Sequence, residues 1–178
     1  MNRHRRVAAA AAVYCWHPSP VGRLLLAADG DALIAVGFGE APHTAVPQEY
    51  WREDAAPLDE ARRQLDEYFA GTRREFDLPL RPLGTHFQQT VWSALREIPY
   101  GTTWSYQQLA VRVGRERAVR AVGLANARNP LAIVVPCHRV IGSNGALTGF
   151  GGGIEAKAWL LVHERRVLGE PQEVSLFK

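Results

Sequence analysis

The chain has 178 residues, 47% apolar and 22% charged, with 16 Gly and 11 Pro. That length suits one large domain or two small ones, and the mixture excludes a collagen-like repeat, a coiled coil and a disordered tail protein. No stretch approaches the roughly 20 apolar residues that a membrane-spanning helix needs. The two cysteines, Cys15 and Cys137, lie too far apart in sequence for a disulfide framework, so free thiols in a reducing compartment are expected.

The net charge of +3 hides an asymmetry. Residues 1–80 hold 9 Lys and Arg against 12 Asp and Glu, net −3; residues 81–178 hold 12 against 6, net +6. Six arginines (112, 115, 117, 120, 128, 139) face the single acid Glu116 within residues 111–139. Such a basic half fits a polyanionic partner, or a solvated arginine face. The start of the chain is basic (Arg3, Arg5, Arg6) and then Ala-rich, the charge order of a secretory leader. It lacks Leu, Ile and Phe and runs at once into Tyr14, Cys15 and Trp16, so a flexible tail over 1–12 and cytoplasmic residence are expected.

Residues 13–38 read as extended. Two apolar runs, 24–28 and 32–36, flank Asp29-Gly30-Asp31, a hairpin signal. Residues 40–57 are rich in Pro, Glu and Ala and read as a loop. Leu58, Ala61, Leu65, Tyr68 and Phe69 follow helical spacing, and Gly71 stands where a helix would stop. Residues 75–80 alternate and suggest an edge strand, with Pro79 and Pro82 limiting its pairing. A boundary at 82/83 then separates an N-terminal domain, 13–82, from a second domain, 83–170, with a tail over 171–178.

Phe87, Val91, Ala94, Leu95 and Ile98 mark a helical face over 85–97, ended by Pro99-Tyr100-Gly101. Ser105-Tyr106-Gln107-Gln108 has the form of a capping box and starts a helix to about 113. Gly114 breaks it, and a second helix is expected over 116–127. Two short helices joined at a Gly make a helix-turn-helix. The second helix, with Arg120-Ala121-Val122-Gly123, is too smooth to read many base edges. It suits close approach to a groove with one inserted arginine, or packing on a neighbouring helix.

Residues 131–135, Leu-Ala-Ile-Val-Val, read as a buried strand ending in Pro136-Cys137-His138-Arg139. A Gly-rich loop follows (Gly149, Gly151, Gly152, Gly153), then a helix over 155–166 carrying Glu164. A cysteine beside a histidine is either a small buried hydrophobe or a nucleophile whose proton the imidazole takes, with a carboxylate orienting the ring. His138 and Glu164 can fill those parts. In extended backbone neighbouring side chains oppose each other, so Cys137 and His138 can cooperate only across a turn or a bridging water.

The run Ile133-Val134-Val135-Pro136-Cys137-His138-Arg139-Val140-Ile141 resembles the signature of the methylated-DNA–protein-cysteine methyltransferases, the O6-alkylguanine-DNA alkyltransferases. Residues 105–109, Arg120-Ala121-Val122-Gly123, Asn129-Pro130 and Gly149-Phe150-Gly151-Gly152 match that family in the same order. The first half matches loosely, through Ser19-Pro20-Val21-Gly22 and the helix end Tyr68-Phe69-Ala70-Gly71.

The resemblance implies an α+β chain: a ribonuclease-H-like N-terminal α/β domain, then a helical domain with a winged-helix-like helix-turn-helix. It implies that Cys137 accepts the alkyl group, that His138 takes the thiol proton through a water, and that Glu164 orients His138. Tyr106 would donate to the flipped guanine, and Asn129 would brace the active-site turn. Val140, Phe150 and Gly151 would line the base pocket. Ser105, Gln107, Arg120, Ala121, Gly123 and Arg128 would meet DNA, with Arg120 filling the gap in the stack. Phe150 stands where many members carry Tyr, which implies a changed preference for bulky lesions. No cofactor is implied, and Cys15, His17, His4 and His86 lack metal-ligand spacing. The expected partner is double-stranded DNA carrying O6-alkylguanine, met by a monomer, with clustering on DNA and activity on O4-alkylthymine left open. A binding-only lesion sensor, a helix-turn-helix regulator and a cysteine hydrolase on Cys137, His138 and Glu164 are the competing readings.

Overall fold

A computed structural model of the chain describes residues 12–39 and 47–170. The expected tails up to residue 11 and over 171–178, and positions 40–46 of the expected loop, lie outside the described residues. β1 (Val13–His17), β2 (Leu24–Asp29) and β3 (Ala32–Phe38) form an antiparallel meander, with Val13 opposite Ala28 and His17 opposite Leu24. The Asp-Gly turn closes the second hairpin with Gly30 at φ +64°, a conformation cheap only for glycine. The short β4 (Arg52–Glu53) adds in parallel beside β1, in the order β3-β2-β1-β4. The loop expected over 40–57 therefore holds a strand. Ala12, assigned by sequence to the tail, is buried, and its carbonyl accepts from Arg52 N.

β2 and β3 are buried on both faces. One face carries Leu24, Leu26, Val36 and Phe38 into the main core; the other packs Ala27, Ile34 and Ala35 beneath Tyr14 and Trp51. α1 (Asp59–Phe69) buries Ala61, Leu65 and Tyr68, the i, i+4, i+7 stripe of an amphipathic helix. Its buried Gln64 exchanges two hydrogen bonds with Asp77, 2.9 Å each. The alternation at 75–80 does not yield a strand. A single bridge forms at Leu80, where Leu33 N donates to Pro79 O and Arg81 N to Leu33 O. Pro79 and Pro82 have no N–H to extend the ladder.

The second half is helical. Thr85 and Gln88 form a capping box at the start of α2 (His86–Leu95), unnoticed in sequence. α2 ends at Leu95, short of 97, because the chain tightens to i→i+3 bonds before Pro99. β5 (Trp104–Ser105) leads into α3 (Tyr106–Arg112), whose Ser105–Gln108 capping box is complete. α4 (Val119–Ala127) starts three residues later than expected. Gly114, at φ +66°, closes α3, and a separate turn closed by Ala118 N on Arg115 O uses residues 115–118. α3 and α4 pack together as the helix-turn-helix. β6 (Val140–Ile141) pairs in parallel with β5, and α5 (Ile154–Val167) completes the domain.

Residues 131–135 are not a strand. Only Leu131 bridges to β3, with Val36 N on Pro130 O and Ala132 N on Val36 O. The chain then folds back: Val135 N donates to Leu131 O, and Ile133 sits at φ +72°. For a β-branched residue that conformation is strained. Tertiary contacts have overridden the β propensity of the run.

Replacing Thr85 with Ala removes the cap and should lower the unfolding free energy by about 1 kcal/mol. Urea denaturation checks this; an unchanged midpoint contradicts it.

Candidate active site

Residues 137–139 form a single 3-10 turn after Pro136. This turn meets the geometric requirement set by the sequence, because Cys137 and His138 no longer point to opposite faces of a strand. Cys137, 5% exposed, lines an open cleft of about 600 Å³ with Phe38, Asn129, Phe150 and Gly151. That volume falls in the range of small-ligand sites. Val36, Gly37 and Phe38 of β3 form its far wall, so the N-terminal sheet contributes to a site whose reactive groups lie in the second half. Phe150 meets Phe38 edge-on at 5.3 Å.

His138 is fully buried, with Nε2 2.7 Å from Glu164 Oε1. A carboxylate only accepts, so Nε2 carries the hydrogen and the lone pair lies on Nδ1. Nδ1 is buried with no partner among the described residues. Burial lowers the basicity of His138, and Glu164 opposes this without reversing it. Glu164 also accepts from Arg139 Nε and Nη2 at 2.9–3.2 Å, from Tyr68 Oη at 2.9 Å and from Gly101 N at 2.9 Å. Burial pushes its carboxyl up, but the His138 and Arg139 partners win and hold it well below the usual carboxylate range. Arg139, counted above with the basic face, is 7% exposed and belongs to this network instead. Its other anchor is Ile98 O, 2.8 Å from Nη1.

Burial pushes the Cys137 thiol up, opposed by the Asn129 side chain, the charge of Lys157 and the backbone N–H groups of Cys137 and His138. Asn129 bridges the turn, its Nδ2 donating to Val135 O at 2.8 Å and its Oδ1 accepting from Leu131 N at 3.0 Å. Tyr106 Oη donates to Thr148 O at 2.8 Å. Lys157, 0% exposed, donates to the same oxygen at 2.7 Å, and burial brings its ammonium down to about 8. Nothing in the sequence separated Lys157 from the other surface-type residues of α5. Asn126, also overlooked, donates from Nδ2 to Cys137 O at 3.4 Å.

The remaining sequence candidates lie outside the network around Glu164. Val140 is fully buried beside Trp104 in the small sheet. Arg120 and Ala121 stand exposed at the start of α4, and Arg128 is exposed at its end, on the rim of the cleft. Gly123 faces the Tyr106 ring, where an added Cβ would sit at 3.6 Å. Ser105 is the N-cap of α3, and Gln107 Nε2 reaches Glu116 O at 3.3 Å. His163, next to Glu164 on α5, is directed to Tyr68 O and stacks on Trp159. Among the described residues no group of three or more His, Cys, Asp or Glu is placed to hold a metal ion.

Glu164 has its folded value depressed, so its stabilisation is complete above its ordinary value of 4.5 and is lost as pH falls through the lower folded value. Lys157 is charged and buried below about pH 8, and stability should rise between about 8 and 10.5 as that cost is relieved. Glu164→Gln should cost about 3–5 kcal/mol at pH 7, by leaving Arg139 buried and unpaired, and should flatten the acid limb. Denaturation of both proteins from pH 3 to 10 tests these signs.

Two family models match the chain: the 6-O-methylguanine DNA methyltransferase ribonuclease-like domain over residues 12–82, and the DNA binding domain of the same family over residues 86–166. A methylated-DNA–protein-cysteine methyltransferase of Methanosarcina acetivorans is 49% identical over 148 residues, 83% of this chain and 95% of that protein. The Haemophilus influenzae protein of that name is 43% identical, over 85% and 86% of the two chains. The crystal structure of Mycobacterium tuberculosis O6-methylguanine methyltransferase superposes with a TM-score of 0.82 at 46% identity, covering 94% of this chain and 99% of that one. A structure of the M. tuberculosis protein in complex with DNA gives 0.81 at 44% identity, over 95% and 100%. Matched along nearly its whole described length, the chain belongs to the 6-O-methylguanine DNA methyltransferase family.

Proposed function

We propose that this protein repairs DNA by moving a methyl or small alkyl group from O6 of guanine to the sulfur of Cys137, once per molecule. One observation carries the reading: Cys137 opens to a cleft of about 600 Å³ while its neighbour His138 is fixed by a buried carboxylate, its Nδ1 without a partner among the described residues. The thiol proton passes through a water to Nδ1. The thiolate attacks the alkyl carbon; the S–C bond forms as the C–O6 bond breaks, and the electron pair stays with the guanine. Tyr106 Oη, now resting on Thr148 O, turns to donate to the departing base. The product thioether has no hydrolytic exit, in contrast to the thioester of a cysteine hydrolase, so the protein is consumed.

The target atom is unreachable inside a stacked duplex, so the base must be extruded at a cost of a few kcal/mol. α4 supports this, with small residues that allow close approach and Arg120 exposed to replace the missing base. Ser105, Gln107, Ala121, Gly123 and Arg128 complete this surface. Phe150 and Gly151 shape the base pocket, and Asn129 holds the turn. Duplex DNA is the partner. No helix among the described residues is long and apolar enough to cross a membrane, and the reading places the protein in the cytoplasm.

Mixed with O6-methylguanine DNA, the protein should gain one methyl group on the peptide bearing Cys137 and saturate at one equivalent. Cys137→Ser should gain none, and turnover beyond one equivalent by mass spectrometry would favour the hydrolase reading. Arg120→Ala should slow repair of duplex DNA at least tenfold more than reaction with a free O6-alkylguanine base; equal losses contradict the plug.

A further inference from the structure

The turn over residues 131–137 is a thin partition. Ala132 and Cys137 face the cleft, whereas Ile133, Val134 and Pro136 line a second cavity of about 370 Å³ behind it. Arg139 lies at the buried end of this cavity, and exposed Arg74 and Arg96 stand at its mouth. Neither Arg74 nor Arg96 has an ion pair among the described residues. Two carboxylates also lie there: Glu97, which Arg112 already occupies, and Glu75, exposed at the rim.

Two hydrogen-bonding accounts are unbalanced at this place. Arg139 has five N–H donors. Glu164 takes Nε and one hydrogen of Nη2, and Ile98 O takes one of Nη1, so two remain. Tyr100 lines the same cavity, and its Oη is buried with no hydrogen-bond partner among the described residues. Arg139 lies over the Tyr100 ring, 5.4 Å from its centre, so both sets of donors are close together. Buried donors without acceptors are rare, and a cavity lined by three guanidiniums and an unpartnered hydroxyl suits a tetrahedral oxyanion.

We propose that this cavity binds a phosphate group, held by Arg74, Arg96, the spare N–H groups of Arg139 and the Tyr100 hydroxyl. The bound group acts on the active site from behind, because it shares Arg139 with Glu164. Drawing Arg139 toward phosphate weakens its hold on Glu164 and leaves that carboxylate more fully to His138. The group comes from free phosphate or from the backbone of bound DNA. The site does not depend on the alkyl-transfer reading: loss of phosphate binding leaves methyl transfer to Cys137 intact, and the converse holds.

The test is a titration of the full chain with inorganic phosphate at constant ionic strength in chloride, read by calorimetry and by the Arg139 Nε–H signal in NMR. One site per chain is expected, of millimolar affinity or tighter, with a saturable shift of that signal. The double variant Arg74→Gln, Arg96→Gln should bind at least tenfold more weakly, and Tyr100→Phe severalfold more weakly. The double variant should keep the thermal midpoint and the phosphate-free methyl-transfer rate. A second arm uses unmodified duplex DNA: an Arg139 shift that the double variant loses identifies the DNA backbone as the source. Absence of a saturable shift with both ligands overturns the proposal, as does an equal shift in the double variant.

Discussion

The carboxylate of Glu164 is the point on which the two halves of this molecule converge. Its donors come from three places in the chain: Tyr68 at the end of α1, the backbone N–H of Gly101, and the adjacent His138 ring and Arg139 guanidinium. A buried carboxylate is tolerable only when its charge is balanced and its lone pairs are filled, and this one meets both conditions. Arg139 supplies the balancing charge. His138 can therefore stay neutral while its tautomer is fixed, which a bare His–carboxylate pair would not secure. Tyr68 makes the N-terminal helix a participant in the site without touching the cleft.

A second constraint lies in the turn that presents Cys137. Ile133 occupies a left-handed conformation that costs on the order of 1–3 kcal/mol for a non-glycine residue. It persists because both ends of the turn are pinned, by Asn129 from within and by Val36 of β3 from outside. The N-terminal sheet thus supplies no reactive group but fixes the backbone that aims the thiol. Phe38, on the same strand, meets Phe150 across the cleft and makes the sheet one wall of it. An added Cβ on Gly152 would meet the Phe38 ring at 2.7 Å, which ties the glycine loop to the sheet.

Local signals were legible wherever the chemistry was local. The Asp29-Gly30 turn, the amphipathic stripe of α1 and the Ser105–Gln108 capping box all form between near neighbours, and each was readable from spacing. Residues 131–135 misled for the same reason. Their β-branched side chains carry a strand preference, and only the long-range bond to Val36 and the Asn129 bridge break the run into a turn. Arg139 and Lys157 misled by type. Both belong to classes found mostly on surfaces, yet Glu164 draws one inward and Thr148 O holds the other.

The sequence by itself determined the first hairpins, the helices of the second half and the family, and singled out Cys137 and His138 as candidates, because ordered short motifs survive as text. Tertiary structure decided which charges are buried, which strand walls the cleft, and that a second cavity backs the active-site turn. Those features depend on contacts between residues tens of positions apart, as Tyr68 and Glu164 are, and no local periodicity records such a distance in space.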